Sequence, residues 1–281
     1  MVRAPAKINL FLHVGDKRAD GFHALQSLVA FTAAGDELSF AADDTLTLAI
    51  DGPFGAGLSA GRDNLIIRAA KALPGTAGAK IALTKNLPVA SGIGGGSADC
   101  AATLRGLNAL WGLKLATPAL QEIGAGLGSD VPVCITCRPQ WMEGRGEIVT
   151  ELPALPDLAM VLVNPGVGVP TGKVFGALKE RRGVGLPLPP PFAAASDLVA
   201  YLKDTANDLE APARVIAPVI GDVLDFIAAQ GALLARMSGS GATCFGLFQN
   251  GTEAERAAAA IRAAHPRWWS VATRISAAIY D

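Results

Sequence analysis

The sequence predicts an α+β protein with antiparallel sheets, and three observations carry that prediction. Strand-like and helix-like stretches follow one another without the regular βαβ alternation of a doubly wound parallel sheet. The stretch Ala6–Val14 has Ala6, Ile8, Leu10, Leu12 and Val14 at its even positions, the period of a strand with one apolar face. In the first half of the chain, Leu87–Ala101 (LPVASGIGGGSADCA) sets a glycine-rich turn between a strand pattern and a helix pattern.

Size and composition narrow the classes. A chain of 281 residues has room for about two ordinary domains, each with a core. With 51% hydrophobic and 17% charged residues it is globular and not disordered. A net charge of −1 argues against a nucleic-acid binder that relies on a broad basic field. No stretch reaches the roughly 18 apolar residues of a membrane span. The opening MVRAPAKINLFLHV is broken by Asn9 and His13 and lacks a small-residue cleavage site, so it reads as a strand of the mature protein. Cys100, Cys134, Cys137 and Cys244 are too scattered for a disulfide framework. The lone C-x-x-C at Cys134 and Cys137 has no second pair, and His13, His23 and His265 show no metal-ligand spacing, so no metal site is expected. Reduced thiols without a leader point to the cytoplasm.

Taken in order, the strand at 6–14 projects Lys7 and Asn9 together from its second face, which by itself reads as a solvated face. Arg18–His23 (RADGFH) carries the turn pair Asp20-Gly21. An alternating segment spans 25–31, Gly35-Asp36 reads as a turn, and strands are expected at 37–40 and 45–50. After a glycine-rich loop at 52–61, a helix is expected over 63–73 with Asp63 as its N-cap. A strand at 80–83 leads into the glycine turn. The helix beyond it, 98–111, has Ala101, Leu104, Leu107 and Trp111 on one face. A short helix at 118–127 follows, and Asp130, just ahead of Pro132, stands where a residue caps a new helix. MEGRGE at 142–147 is a tight polar turn, and LPALPD at 152–157 reads as a boundary between domains at 1–153 and 154–281. The second half is expected to hold a buried strand at 159–163, the loop NPGVGVPTG, a helix from Lys173 and an irregular proline-rich stretch at 183–195. Helices at 197–203 and 213–230, strands at 232–237 and 243–248 around SGSG, a helix at 253–264 and a strand at 269–275 complete it.

The chemistry concentrates at Gly92, Gly94, Gly95 and Gly96, followed at once by Ser97. Glycine lets backbone N–H groups turn inward, and the first turn of a helix leaves N–H groups unpaired. Together they form a nest for an anion, most often a phosphate. No lysine follows Gly96, which excludes a Walker A loop, and Ser97 stands where a dinucleotide fingerprint needs its third glycine. A flexible surface loop is the plain alternative for an isolated glycine cluster.

Five segments in this order, PAKINLFLHV, RADGFH, LPVASGIGGGSADCA, GSDVP and SGSGATCF, resemble the GHMP kinase superfamily of small-molecule kinases, from about Pro5 to Phe248. The resemblance implies a ribosomal protein S5 domain 2-like N-terminal domain and a ferredoxin-like C-terminal domain. PAKINL paired with RADGFH is similar to the branch that acts on 4-diphosphocytidyl-2-C-methyl-D-erythritol. It implies ATP-dependent phosphorylation of that substrate's 2-hydroxyl, in the non-mevalonate route to isoprenoid precursors. By the same resemblance Lys7 and Asp130 are catalytic. Pro88, Val89, Ala90, Ser91, Gly92, Ile93, Gly94, Gly95, Gly96, Ser97 and Ala98 hold ATP. Phe22 and His23 meet cytosine, and Asn9 and Thr171 are polar positions near the substrate. ATP is the expected cofactor, with Mg²⁺ carried mainly by ATP and no metal-ligating residue named. The expected partners are the small-molecule substrate and ATP, with no nucleic acid and no membrane, for a cytoplasmic monomer or weak homodimer. Two departures stand out: the family often has Tyr where this chain has Phe22, and a second Ser where it has Ala98. Three other readings remain at this point: a GHMP kinase for mevalonate or homoserine, a non-catalytic sensor on the same fold, and a nucleotide-dependent oxidoreductase.

Overall fold

The structure, a computed structural model, describes residues 1–75 and 77–275. In chain order the elements begin with β1 (Val2–Asn9), β2 (His13–Lys17), β3 (His23–Asp43), β4 (Leu46–Asp51), α1 (Leu65–Ala72), β5 (Gly78–Thr84) and α2 (Gly95–Leu110). Next come α3 (Thr117–Ala125), α4 (Val131–Thr136), β6 (Gln140–Gly144), β7 (Ile148–Glu151), β8 (Leu158–Asn164), α5 (Thr171–Gly176) and α6 (Ala195–Lys203). The chain continues through α7 (Glu210–Ile216), α8 (Val219–Ala229), β9 (Leu234–Met237), β10 (Cys244–Phe248), α9 (Gly251–Ala264) and β11 (Trp269–Ile275). These pack as two compact units, one of residues 1–7, 34–89 and 94–137, the other of residues 8–33, 90–93 and 138 onward.

In the first unit the C-terminal half of β3 pairs antiparallel with β5, from Glu37 opposite Thr84 to Asp43 opposite Gly78. On the other edge of β5, β4 runs parallel to it, which departs from the all-antiparallel expectation. Parallel neighbours need a crossover connection, and the 52–61 loop with α1 supplies it. Helix α2 packs on α1, α3 and α4. Its residues Ala98–Leu104 are buried without interruption, as a helix enclosed on several sides requires.

Three sequence expectations change here. The N-cap of α1 is Asn64, whose side chain accepts from the Ile66 N–H at 2.9 Å; Asp63, of the same capping chemistry, lies one residue too early. Gly35-Asp36 is no turn but the middle of β3. Gly35 is there because a Cβ would lie 2.6 Å from the Ala4 carbonyl oxygen and 2.7 Å from Pro5 Cα. Nor does one strand run over 6–14: β1 ends at Asn9 and β2 begins at His13. Both faces of this stretch are buried, so Lys7 and Asn9 are interior residues.

In the second unit the N-terminal half of β3 pairs with β2 and with β6, from Leu25 opposite Gly144 to Val29 opposite Gln140. The MEGRGE turn closes the β6–β7 hairpin. β8, buried at every position, lies between β10 and β11, with β9 beyond β10, all antiparallel. Helix α9 covers β8 and β11, and α8 covers β9 and β10. The single helix expected over 213–230 is two, α7 and α8. Pro218 lacks the N–H that would continue the first, and Ala217 before it leaves the helical region at φ −134 and ψ 84.

Gly35→Ala tests why β3 tolerates a glycine. Because both close atoms are backbone, the strands must part, and a loss of about 1–3 kcal/mol is expected. Thermal unfolding will show it as a Tm lower by several degrees; an unchanged Tm contradicts the account.

Candidate active site

β1 delivers Lys7 to the interior of the first unit. Its side chain is 4% exposed, and its Nζ lies 2.7 Å from Oδ2 of Asp130, whose side chain is 37% exposed. Asp130 occupies the N-cap position of α4, yet it makes no capping hydrogen bond. Its carboxylate bonds Lys7 and not the helix it precedes. The Lys7 stem runs along the glycine turn: a Cβ on Gly94 would sit 3.2 Å from Lys7 Cβ and 3.5 Å from Cε. Gly94, at φ +65, is the N-cap of α2 and contributes no side-chain cap. The amides of Gly95, Gly96 and Ser97 therefore stand in a first helical turn, where no intrahelical acceptor exists, at the positive end of the helix dipole. An ammonium, a half-open carboxylate and an anion-seeking helix end thus meet in one place.

The middle of the turn, Ala90–Ile93, belongs to the second unit. Ala90 and Gly92 have φ of +52 and +78. A Cβ on Gly92 would lie 2.5 Å from the Gly241 carbonyl oxygen, so this turn meets Ser238–Gly241 backbone to backbone. The Thr243 N–H donates to the Ser91 carbonyl at 3.0 Å. Ser238 Oγ accepts from the Asn9 N–H at 3.1 Å and donates to the Gly92 carbonyl at 3.4 Å. Asn9 is buried, and its Nδ2 donates to Ser27 Oγ at 2.8 Å.

The remaining candidates are also in the second unit. Phe22 is 54% exposed and carries the Arg145 guanidinium 5.1 Å from its ring centre. The His23 ring stacks on Phe175 with centroids 5.5 Å apart and planes at 22°. Burial, then the Arg181 and Lys17 charges, hold His23 below its ordinary pKa of 6.5, so at neutral pH its ring offers both a donor and an acceptor. α5 carries Phe175 and also Thr171, whose Oγ1 is 2.8 Å from Ser240 Oγ. One helical turn thereby links the His23 platform to the SGSG loop.

Known families match this arrangement. GHMP kinases N terminal domain matches residues 64–138, and GHMP kinases C terminal matches residues 193–267. The 4-diphosphocytidyl-2-C-methyl-D-erythritol kinase of Paracoccus denitrificans is 50% identical over 276 residues, covering 98% of this chain and 96% of its own. The chain belongs to the GHMP kinase family. A crystal structure of 4-(cytidine 5'-diphospho)-2C-methyl-D-erythritol kinase superposes on this GHMP kinase with a TM-score of 0.79, at 34% identity and 98% coverage of both chains. A homoserine kinase from Cytophaga hutchinsonii shares the fold at 20% identity, with a TM-score of 0.65 over 98% of this chain and 93% of its own.

This GHMP kinase also holds a charged cluster that sequence reasoning passed over. Lys85, leaving β5, places Nζ 2.5 Å from Asp36 Oδ2 and 2.6 Å from Asp99 Oδ2, and all three side chains are buried. Asp36 Oδ1 accepts from the Asn86 and Leu87 N–H groups at 2.6 and 2.8 Å. Oδ1 of Asp99 is buried without a hydrogen-bond partner. Burial opposes the Lys85 ammonium, but Asp99 and Asp36 outweigh it and raise its pKa. Burial pushes the Asp99 carboxyl up to about 7 against the pull of Lys85, with Asp36 pushing the same way. Asp99 was legible as the one charged residue in the apolar run 98–104. Asp36 was hidden by the glycine beside it, and Phe175 by a helix too short to show a pattern.

The raised Asp99 carboxyl makes stability fall as pH climbs. The unfolded chain releases this proton near pH 3.8 and the folded chain near 7, so stability drops through that window and levels off above it. Asp99→Asn should flatten this dependence and gain relative to wild type at pH 8 compared with pH 5. Denaturant unfolding at the two pH values checks it, and equal differences at both refute it.

Proposed function

We propose that this chain transfers the γ-phosphoryl group of ATP to the 2-hydroxyl of 4-diphosphocytidyl-2-C-methyl-D-erythritol. One observation carries the chemistry: the Lys7–Asp130 pair at 2.7 Å, packed against Gly94 where α2 begins. The names of the half-identical relative and of the matching crystal structure supply the substrate. Phosphoryl transfer asks for positioning and charge stabilisation more than covalent chemistry. The loop Pro88–Ala98 holds the ATP phosphates through the backbone N–H groups between its two ends, since Pro88 has none and that of Ala98 donates to the Gly94 carbonyl, with Ser97 as the hydroxyl at the helix start. Asp130 takes the hydroxyl proton as that oxygen bonds to the γ-phosphorus and the bond to ADP breaks. Lys7 polarises the hydroxyl and offsets the charge of the transition state.

Phe22 offers the cytosine an exposed ring face, and His23, backed by Phe175, a neutral edge for hydrogen bonding. Asn9 and Thr171 serve the polar part of the substrate. Residues 1–153 are read as the domain with the ATP loop and 154–281 as the second domain, a division supported by family matches on either side of that boundary and different from the compact units, which group residues 8–33, 90–93 and 138–153 with the second. Mg²⁺ is assigned to ATP itself. No described helix is long and apolar enough to cross a membrane. A cytoplasmic monomer or weak homodimer without nucleic-acid partners completes the reading.

ADP release should be seen with the cytidylated substrate and not with mevalonate or homoserine. Lys7→Ala and Asp130→Ala should each lower kcat about 100- to 1,000-fold, and the double variant little further, because the two act as a unit. Near-normal turnover in Asp130→Ala would remove the assignment. Phe22→Ala should weaken substrate binding by about 1–3 kcal/mol with ATP affinity and Tm unchanged, since the ring is exposed. Phe22→Tyr, which keeps the ring, should be nearly neutral. Calorimetric titration of each ligand separates a stacking residue from a packing one.

A further inference from the structure

The glycine turn has a support that neither touches the reacting groups nor belongs to the loop itself. We propose that Lys85, with Asp36 and Asp99, is a positioning cluster that pre-shapes the loop for ATP by tying both of its ends to one buried ammonium. This rests on the reading above that the ATP phosphates lie on residues 88–98.

The geometry is specific. On the entry side, Lys85 is held by its backbone, donating to the Asp51 carbonyl at 2.9 Å and accepting from the Phe54 N–H at 3.0 Å. Asp36 then grips the next two amides, Asn86 and Leu87, with the carboxylate that also receives Lys85 Nζ. On the exit side, Asp99 lies near the start of α2 and receives the same Nζ. The ammonium stands directly under the helix start: a Cβ on Gly95 would lie 3.2 Å from Lys85 Nζ and 3.7 Å from Asp36 Oδ2. Between these anchors run four glycines, whose freedom would otherwise have to be lost when ATP binds. Fixing a loop in its bound shape beforehand improves affinity by removing that cost. A buried ion cluster is a weak source of net stability, and setting one geometry is its better-attested use.

The cluster faces an anion site, and its charge matters there. One ammonium against two ionised carboxylates would leave a negative charge beneath the phosphates. The unpartnered Asp99 Oδ1, on a carboxyl pushed up to about 7, lets a proton reduce that charge near neutrality.

Lys85→Met alone strands two buried carboxylates and risks misfolding, so the deciding variant is Lys85→Met with Asp99→Asn, which removes one charge of each sign. We expect this double variant to fold at a lowered but measurable Tm, because Asp36 loses its ammonium yet keeps the Asn86 and Leu87 N–H groups. Its KM for ATP should rise at least tenfold, with kcat within threefold and the KM for the cytidylated substrate unchanged. Lys85→Arg, keeping the charge, should recover part of the ATP affinity. An unchanged ATP KM in the folded double variant overturns the proposal. So does a parallel rise of both KM values, the mark of a purely structural cluster. Gly96→Val separates the underlying reading: Gly96 is exposed, and its Cβ would meet nothing closer than Leu65 Cδ1 at 3.7 Å. If that variant binds ATP normally, the phosphates do not lie on this loop and both readings fall. If it weakens ATP while the Lys85 variants do not, the positioning role alone falls.

Discussion

A lysine ammonium withdrawn from water needs a counter-charge, and that need organises the first unit. Lys7 meets it with Asp130, and without that partner its ammonium would be buried and uncompensated. The pair therefore fixes β1 against the start of α4, while the Lys7 stem lies along Gly94 at the start of α2. The arrangement is asymmetric, with the cation enclosed and the anion partly open. That asymmetry fits the roles proposed for the pair, a carboxylate that meets an incoming hydroxyl and an ammonium that stays behind it.

The glycine turn is shaped by a different constraint. At Gly92 any side chain would enter the backbone of Gly241, and Gly94 adopts a left-handed conformation against Lys7. These glycines serve close approach as much as flexibility, one toward another stretch of backbone and one toward Lys7. Freedom that serves close approach is unhelpful for binding, which is why charged anchors on either side of the loop make physical sense. The interior of the first unit thus spends both of its buried lysines, Lys7 and Lys85, around the same short stretch of chain.

Much of this was legible in the sequence, for identifiable reasons. The strand, glycine turn and α2 showed themselves through apolar spacing, and the two-domain α+β kinase fold through five motifs in order. Phe22 stands exposed, as a residue after an Asp-Gly turn suggested. The catalytic reading of Lys7 and Asp130 rests on resemblance, because alternation alone put Lys7 on a solvated face and spacing alone made Asp130 a cap. Most of what escaped depended on distant contacts. Gly35-Asp36 has the composition of a turn, and only the approach of Ala4 and Pro5 explains a glycine inside a strand. The break at Pro218 was a local signal overridden by the apolar pattern around it. Lys85, Asp36 and Asp99 lie far apart in sequence, and nothing local marks them as one group.

The two units interleave along the chain, and this bears on how the protein is made. The segment 8–33 belongs with residues beyond 138, whereas the first unit is complete once residue 137 has been synthesised. A ribosome therefore releases the apolar run from Ile8 to Val14, and with it Leu28 and Phe31, more than a hundred residues before the part of their unit that lies beyond residue 137. During that interval the first unit can close around its buried lysines, but the segment 8–33 emerging from it has no fold to join. Such a segment is a natural client for chaperones. For the same reason, cutting the chain at any single point between residues 8 and 137 divides both units, so neither can be isolated as one amino-terminal or carboxy-terminal piece.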